Sequence, residues 1–238
     1  MNKQSNTYTI LYIIALVVVV GAALAYTAMA LKPLQTSNAN ADKMKQILAA
    51  VHIAPEGDVT AEFNKYITRQ LVVDSQGREV PGENAFDVSV EKQSKEADVA
   101  KRLLPVYECT LADGSVKYIL PVYGAGLWGP IWGYVAMDAD GNTVYGAYFA
   151  HQGETPGLGA EIEKPAFSDQ FNSSLHMWHD GRFVPVEVIK AGQKPSDPDA
   201  DTVDGISGGT ITSKGVGAMI NNCLAPYSAF LKNLSNPK

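Results

Sequence analysis

Residues 104–150 read LPVYECTLADGSVKYILPVYGAGLWGPIWGYVAMDADGNTVYGAYFA, and this stretch decides the fold class. The Asp113-Gly114 pair lies between two apolar stretches rich in β-branched and aromatic residues, which is typical of a tight β-hairpin. The polar turn at 138–142 separates two further stretches of the same kind and predicts a second hairpin. The predicted strands are Leu104–Leu111, Val116–Tyr123, Ile131–Met137 and Thr143–Ala150. Consecutive hairpins favour an antiparallel sheet.

Helical spacing lies on both sides of this sheet in the sequence. Apolar residues at steps of three and four run from Val216 to Leu234 and predict an amphipathic helix, whose first half Pro226 should end or kink. Ahead of the sheet, residues 44–51 show the same spacing and predict a short helix. One more strand is predicted at Phe183–Ile189. The predicted fold class is therefore α+β, with an antiparallel sheet flanked by helices.

The composition excludes several classes of protein. The chain has 238 residues, a net charge of −6 and a pI near 5.2, whereas a nucleic-acid-binding protein needs a basic face. We therefore expect no nucleic-acid partner. Two cysteines, Cys109 and Cys223, are too few for a disulfide scaffold or a cysteine metal centre, and the histidines are scattered, so no metal site is predicted.

An uncharged apolar segment lies near the start of the sequence. Its 24 residues from Tyr8 to Leu31 span about 36 Å as a helix, enough to cross a hydrocarbon core of about 30 Å. The predicted organisation is a short tail at 1–7, a transmembrane helix at 8–31, a polar linker at 32–40 and a soluble domain at 41–238. A cleaved signal peptide is the alternative, because Ala28-Met29-Ala30 fits a cleavage pattern, but apolar regions of signal peptides usually have only about 7–15 residues. The flanking lysines do not decide the orientation.

Three motifs match a pattern without the context that its chemistry requires. Gly124–Gly129 fits G-x-G-x-x-G, yet Pro130 and a strand-like stretch follow instead of the helix that a dinucleotide site needs. Gly205–Gly209 fits G-x-S-x-G, yet no Asp, Glu or His follows Ser207 to complete a catalytic triad. The aspartates between 197 and 204 lack the glycine and the glutamate of a calcium loop, so a solvated acidic loop is predicted there.

The sequence DGISGGTITS at 204–213 stands just ahead of the C-terminal helix. Free backbone amides and the helix dipole stabilise an anion at such a helix start, and adjacent glycines let a bulky group approach the backbone. Lys214, one turn further on, is placed to face a bound phosphate. From the residues alone, the alternative is that Ser207, Thr210 and Thr212 are helix N-caps.

This stretch resembles the flavinylation motif of the FMN-binding domain family, Asp-x-x-Ser-Gly-(Ala/Gly)-Thr. The sequence GETPGLG at 153–159 is similar to the loop that borders the flavin ring in that family, and GLW at 126–128 resembles a loop of one of its branches. One departure is Gly209, where alanine is usual. The missing methyl group is expected to permit attachment while it loosens the turn.

The resemblance implies a role for each matching position, although no catalytic residue. Thr210 is the expected covalent acceptor, carrying FMN through a phosphoester that a separate flavin transferase makes. Asp204 opens the motif, and the phosphate is expected beside Ser207, Gly208, Gly209 and Lys214. The flavin ring is expected beside Glu154, Thr155, Leu158, Gly159 and Trp128, with core packing as the alternative for Leu158 and Trp128.

Within this family, a chain with a single membrane helix and a GLW loop resembles the C subunit (NqrC) of the Na⁺-translocating NADH:quinone reductase. That resemblance implies an electron carrier of the bacterial inner membrane, not catalytic alone, that works with the A, B, D, E and F subunits and has its soluble domain in the periplasm. Electrons from NADH would pass through its FMN towards a second covalent FMN and quinone, with sodium transport coupled in the membrane subunits. The alternatives are the G subunit of an Rnf-type complex, another flavinylated extracytoplasmic carrier, or a non-redox anchored binding domain whose SGGT sequence is only a helix cap.

Overall fold

The structure of the chain, a computed structural model, describes residues 5–235 and divides the chain into two compact units. The first unit, up to Lys43, is made by helix α1 (Asn6–Ala49), whose last residues belong to the second unit. Among the described residues, α1 is the one helix long and apolar enough to cross a membrane. The predicted transmembrane segment at 8–31 lies within it, and the domain boundaries stay predictions.

The polar linker predicted at 32–40 is helical in the structure, because these residues continue α1. Their side chains are exposed all round, so no buried face imposes a periodic pattern on the sequence. The hydroxyl of Thr36 donates to the carbonyl of Lys32 at 3.0 Å, and Pro33 is accommodated inside the helix. Apolar periodicity reports burial of one face, and its absence therefore says little about helix formation here.

The second unit contains a five-stranded antiparallel sheet in which each strand pairs with its neighbour in the chain. The two predicted hairpins are confirmed. Glycines in the left-handed region, Gly114 and Gly141, lie in the two turns. The strands are β1 (Ile67–Val73), β2 (Leu104–Thr110), β3 (Val116–Ala125), β4 (Pro130–Asp138) and β5 (Val144–His151).

Helices cover both faces of this sheet, which confirms the predicted α+β class. One face packs on the C-terminal helices through a core that includes Val216 and Leu231. The other face packs on the end of α1, at Ile47 and Leu48, and on Phe63 of the next helix. The remaining helices are α2 (Val59–Tyr66), α3 (Val90–Lys95), α4 (Pro165–Ser168), α5 (Thr210–Leu224) and α6 (Ser228–Ser235). As predicted, the helical stripe is broken near Pro226, which lies in a 3-10 turn between α5 and α6.

Glycines set the position of α5 against the sheet. A Cβ on Gly124 would lie 2.7 Å from the Met219 Cβ, and a Cβ on Gly215 would collide with the carbonyl oxygen of Ala125. Helix α5 therefore crosses the end of β3 at a distance that larger residues would prevent. This packing places the first turn of α5 beside the loop that joins β3 to β4.

The strand predicted at Phe183–Ile189 is divided in the structure. Its first part pairs with Trp178 and Met177, in the hairpin of β6 (Trp178–His179) and β7 (Arg182–Phe183). Its second part, β8 (Glu187–Ile189), pairs in parallel with β9 (Thr202–Asp204). Pro185 lies where the partner changes, and proline has no N–H for a continuous ladder. Arg182 of β7 pairs with Asp197 and Asp199, which lie in the acidic loop between β8 and β9.

Candidate functional site

The loop between β9 and α5 holds the residues of the predicted flavinylation motif. Asp204 is fixed through its backbone, whose N–H donates to Gln170 Oε1 at 2.7 Å and whose carbonyl accepts from Gln170 Nε2 at 3.1 Å. The side chain of Asp204 is exposed. Gly208 has a φ of +76°, in the left-handed region that favours glycine, and Gly209 is the residue before α5.

Ser213 closes this loop from inside the helix. Its hydroxyl accepts from the Ile206 N–H at 2.8 Å and donates to the Gly209 carbonyl at 2.9 Å. Ser213 is buried, and a Cβ on Gly205 would lie 2.9 Å from the Ser213 Cβ. The loop is therefore packed tightly on the first turn of α5.

The motif's other hydroxyls have different surroundings. Thr212 is 1% exposed and donates to Glu154 Oε2 at 2.6 Å. Thr210 and Ser207 are exposed, and within residues 5–235 neither hydroxyl makes a hydrogen bond. Thr210 is the first residue of α5, and Gly209 at the N-cap gives no side-chain cap. The alternative that the hydroxyls of Ser207, Thr210 and Thr212 cap this helix is therefore wrong.

Glu154 lies at the centre of the site although it is only 5% exposed. Its Oε1 accepts from the Trp128 N–H at 2.8 Å, its Oε2 accepts from Thr212, and its own N–H donates to His151 Nδ1 at 3.1 Å. Burial raises the pKa of this carboxyl, but the hydrogen bonds from Thr212 and the backbone of Trp128 outweigh burial and lower the pKa overall. The carboxylate is therefore ionised at neutral pH.

Two glycines leave the space that this carboxylate occupies. A Cβ on Gly126 would collide with Glu154 Oε1, and a Cβ on Gly159 would collide with Glu154 Oε2 and approach the Thr212 hydroxyl. The GLW loop, the GETPGLG loop and the first turn of α5 thus meet at one buried carboxylate. The sequence places these three segments far apart, and the structure brings them together.

Exposed apolar side chains surround the meeting point. The described segments outside α1 expose five large hydrophobic side chains; one is Val99 and the others, which we call the apolar rim, are Leu127 (49% exposed), Trp128 (69%), Leu158 (43%) and Ile211 (58%). Core packing, the alternative for Trp128 and Leu158, is therefore wrong. Leu158 also contacts the motif, because its Cδ2 lies 2.7 Å from where a Cβ on Gly208 would be.

The side chains of the two remaining predicted site residues, Thr155 and Lys214, are exposed. The side chain of Thr155 is exposed, and its carbonyl accepts from the N–H groups of Leu158 and Ala160. Lys214 is exposed one turn after Thr210 and lines an open cleft of about 460 Å³ between α5 and residues 183–188. Lys214 therefore adds a positive charge near the helix start, on the side of that cleft.

These residues fit a phosphorylated aromatic cofactor. The uncapped start of α5 offers backbone N–H groups and the positive end of a helix dipole to a phosphate. The exposed hydroxyl of Thr210 lies at that same position, and the apolar rim offers apolar contact to a flat ring. Exposed hydrophobic side chains that cluster in this way mark binding sites more often than plain surface.

Comparison with known proteins agrees with this geometry. Residues 126–225 match the family model of the FMN-binding domain, which defines the class of the protein. The chain is 33% identical to the C subunit of the Na⁺-translocating NADH-quinone reductase of Vibrio anguillarum, over 90% of this chain and 89% of that protein. It is 32% identical to the corresponding Pseudomonas aeruginosa protein, over 98% and 97% of the two chains. The crystal structure of the C subunit from Parabacteroides distasonis is similar at 42% identity and a TM-score of 0.77, over 84% of this chain and 96% of that chain. The chain belongs to the NqrC family, the C subunits of the Na⁺-translocating NADH-quinone reductases.

Sequence reasoning missed the link between Glu154 and Thr212 and the exposure of Ile211. A signal for the burial of Thr212 was present. Thr212 and Ser213 precede Val216 by four and three residues, so they continue the buried stripe of α5 towards its start. The partner of Thr212, 58 residues earlier in the chain, has no such local signal.

Proposed function

We propose that this chain is a membrane-anchored electron-carrier subunit of a Na⁺-translocating NADH:quinone reductase, with FMN attached through a phosphoester to Thr210. The observation that carries the proposal is the environment of the motif hydroxyls. Thr212 and Ser213 are buried and hydrogen-bonded, whereas Thr210 is exposed at the uncapped start of α5. Ser207 is exposed as well, but it lies before the helix start.

The chain's own residues prepare this attachment. As the new Oγ–P bond forms, the bond from phosphorus to its leaving group breaks, the leaving group departs with that electron pair, and the Thr210 hydroxyl releases its proton. The donor is therefore an activated flavin phosphate, and a separate flavin transferase brings it. The helix start stabilises the phosphate charge through backbone N–H groups. The side chain of Lys214 adds positive charge one turn along.

FMN, when bound, supplies one- and two-electron redox chemistry, while the protein supplies position and electrostatics. The apolar rim is exposed, which suits a cofactor that must come close to a partner protein. Both oxygens of Glu154 are already occupied, so this carboxylate is not free to act as a general base. A relay of electrons needs no such base.

The family supports the proposed partners and location. Its members are named as the C subunit of a reductase, so we expect this chain to assemble with the A, B, D, E and F subunits in the bacterial inner membrane. Helix α1 has the length and composition of an anchor, and we propose that the soluble domain lies in the periplasm. A mature chain that begins at Leu31 after membrane extraction would refute the anchor.

In-gel flavin fluorescence of the denatured full chain, co-expressed with the transferase, tests the attachment. We expect a fluorescent band for the wild type and for Ser173→Ala, and no band for Thr210→Ala. Ser173→Ala is the matched control because it removes an exposed hydroxyl outside the motif. A dark wild-type band, or a band that persists in Thr210→Ala, would contradict the proposal.

A further inference from the structure

One buried carboxylate joins the three segments of the flavin site. Glu154 belongs to the GETPGLG loop, accepts from the backbone of Trp128 in the GLW loop, and accepts from Thr212 in the first turn of α5. Gly126 and Gly159 lack the side chains that would displace it. Among the described residues, no side chain other than Glu154 forms a hydrogen bond between the GLW loop and either of the other two segments.

Glu154 reaches α5 from the side away from the attachment point. Successive helical residues are separated by about 100°, so Thr212 points about 200° away from Thr210. Thr210 is exposed, whereas the Thr212 side chain that holds Glu154 is buried. Glu154 therefore acts on the position of the loops and of the helix start, not on the reacting hydroxyl.

We propose that Glu154 is the positioning residue of the flavin site, whose carboxylate holds the apolar rim against the start of α5 before any flavin is attached. This inference rests on the proposed attachment at Thr210. The positioning role also explains why the charged side chain of Glu154 is buried. A carboxylate accepts from two donors at once without offering a proton, and hydrogen bonds to an ionised acceptor are the stronger ones.

The backbone of Glu154 contacts His151, which in turn lies near Glu163. His151 accepts the Glu154 N–H through Nδ1, and its Nε2 lies 3.8 Å from Glu163 Oε2. Glutamine at position 154 could still accept from Trp128, and its amide could donate to the Thr212 hydroxyl. Glu154→Gln therefore separates the shape of the contact from its charge, whereas Glu154→Ala removes both.

The first readout is amide hydrogen exchange at Leu127 and Trp128 in the full chain made without the transferase. We expect Glu154→Ala to speed exchange about tenfold, which corresponds to about 1.4 kcal/mol, the scale of one net hydrogen bond. Glu154→Gln should recover part of the protection. Glu161→Gln is the matched control, because Glu161 also accepts one backbone N–H in this loop, from Gly157 at 3.0 Å, and should leave exchange at Leu127 and Trp128 unchanged.

The second readout is iodide quenching of flavin fluorescence in the full chain that has been co-expressed with the transferase and carries the flavin. A loosened rim exposes the ring, so quenching should be strongest in Glu154→Ala, intermediate in Glu154→Gln and unchanged in Glu161→Gln. Equal exchange rates at Leu127 and Trp128 in wild type and Glu154→Ala would overturn the inference, as would equal quenching. A wild-type chain that carries no flavin would instead refute the attachment at Thr210. The exchange experiment needs no flavin and would still test the role of Glu154.

Discussion

Thr212 and Thr210 lie two residues apart in one motif, and the structure predicts that substitution by valine destabilises the fold at Thr212 but hardly changes stability at Thr210. Thr212→Val keeps the branched shape but removes the O–H that donates to Glu154 Oε2 at 2.6 Å, where both residues are buried. A hydrogen bond to a charged group contributes about 1.5–3 kcal/mol, and the carboxylate oxygen would stay buried without it. We expect Thr212→Val to lower the free energy of unfolding by that amount.

Thr210→Val should leave stability within about 0.5 kcal/mol, because Thr210 is exposed and its hydroxyl makes no hydrogen bond within the described residues. Urea denaturation of the full chain in mild detergent, without flavin, measures both variants against the wild type. If the two substitutions cost the same free energy, the assignment of Thr212 as structural and Thr210 as free would be refuted.

The cost of Thr212→Val should depend on pH through Glu154. The pKa of Glu154 lies below its ordinary value of 4.5 in the folded chain, so its stabilising contribution is complete above that value and is lost as the pH falls through the folded pKa. The difference between wild type and Thr212→Val should therefore be largest near neutral pH and shrink below about pH 4.5. A difference that does not change with pH would contradict an ionised Glu154 as the partner.

Three further predictions concern packing and the two cysteines. Gly126→Ala forces the carboxylate of Glu154 from its position and should cost about 1–3 kcal/mol in urea denaturation, with no loss indicating a different packing. Gly209→Ala should cost less than about 1 kcal/mol and still take up flavin, because its φ of −100° suits alanine, and the Ile206 side chain and the Leu158 backbone need to move only a few tenths of an ångström. Cys109 and Cys223 pack on opposite faces of the sheet and should never pair, so the intact mass without reductant should show two free thiols. Burial raises the pKa of Cys109 to about 11, and alkylation of Cys109 in the native chain should therefore be slow.

Much of the fold could be predicted because its signals are local. The hairpin turns at Asp113-Gly114 and 138–142 fix which strands pair, and the apolar stripe from Val216 shows which side of the last helix is buried. The strand at Phe183–Ile189 was harder, since the partner changes at Pro185 and both partners come from other parts of the chain. Residues 32–40 show no apolar periodicity that would predict a helix, because no face of that helix segment is buried.

The candidate site could be predicted as a set of motifs but not as an arrangement. The motif around Thr210 and the GETPGLG loop were recognisable from their residues, whereas the bond between Glu154 and Thr212 spans 58 positions. Nothing in the sequence indicates that a carboxylate fills the space beside Gly126 and Gly159. The exposure of Thr210 and the burial of Thr212 appear only in the folded chain, and they support Thr210 as the proposed attachment site.

Tandem mass spectrometry of the peptide that contains residues 204–213 tests the central claim most directly. The peptide should come from the full chain, co-expressed with the transferase and purified from membranes. We predict an added FMN phosphoester on Thr210 alone, with Ser207 and Thr212 unmodified. An unmodified peptide from transferase-containing cells, or a flavin located on Ser207 or Thr212, would contradict the account.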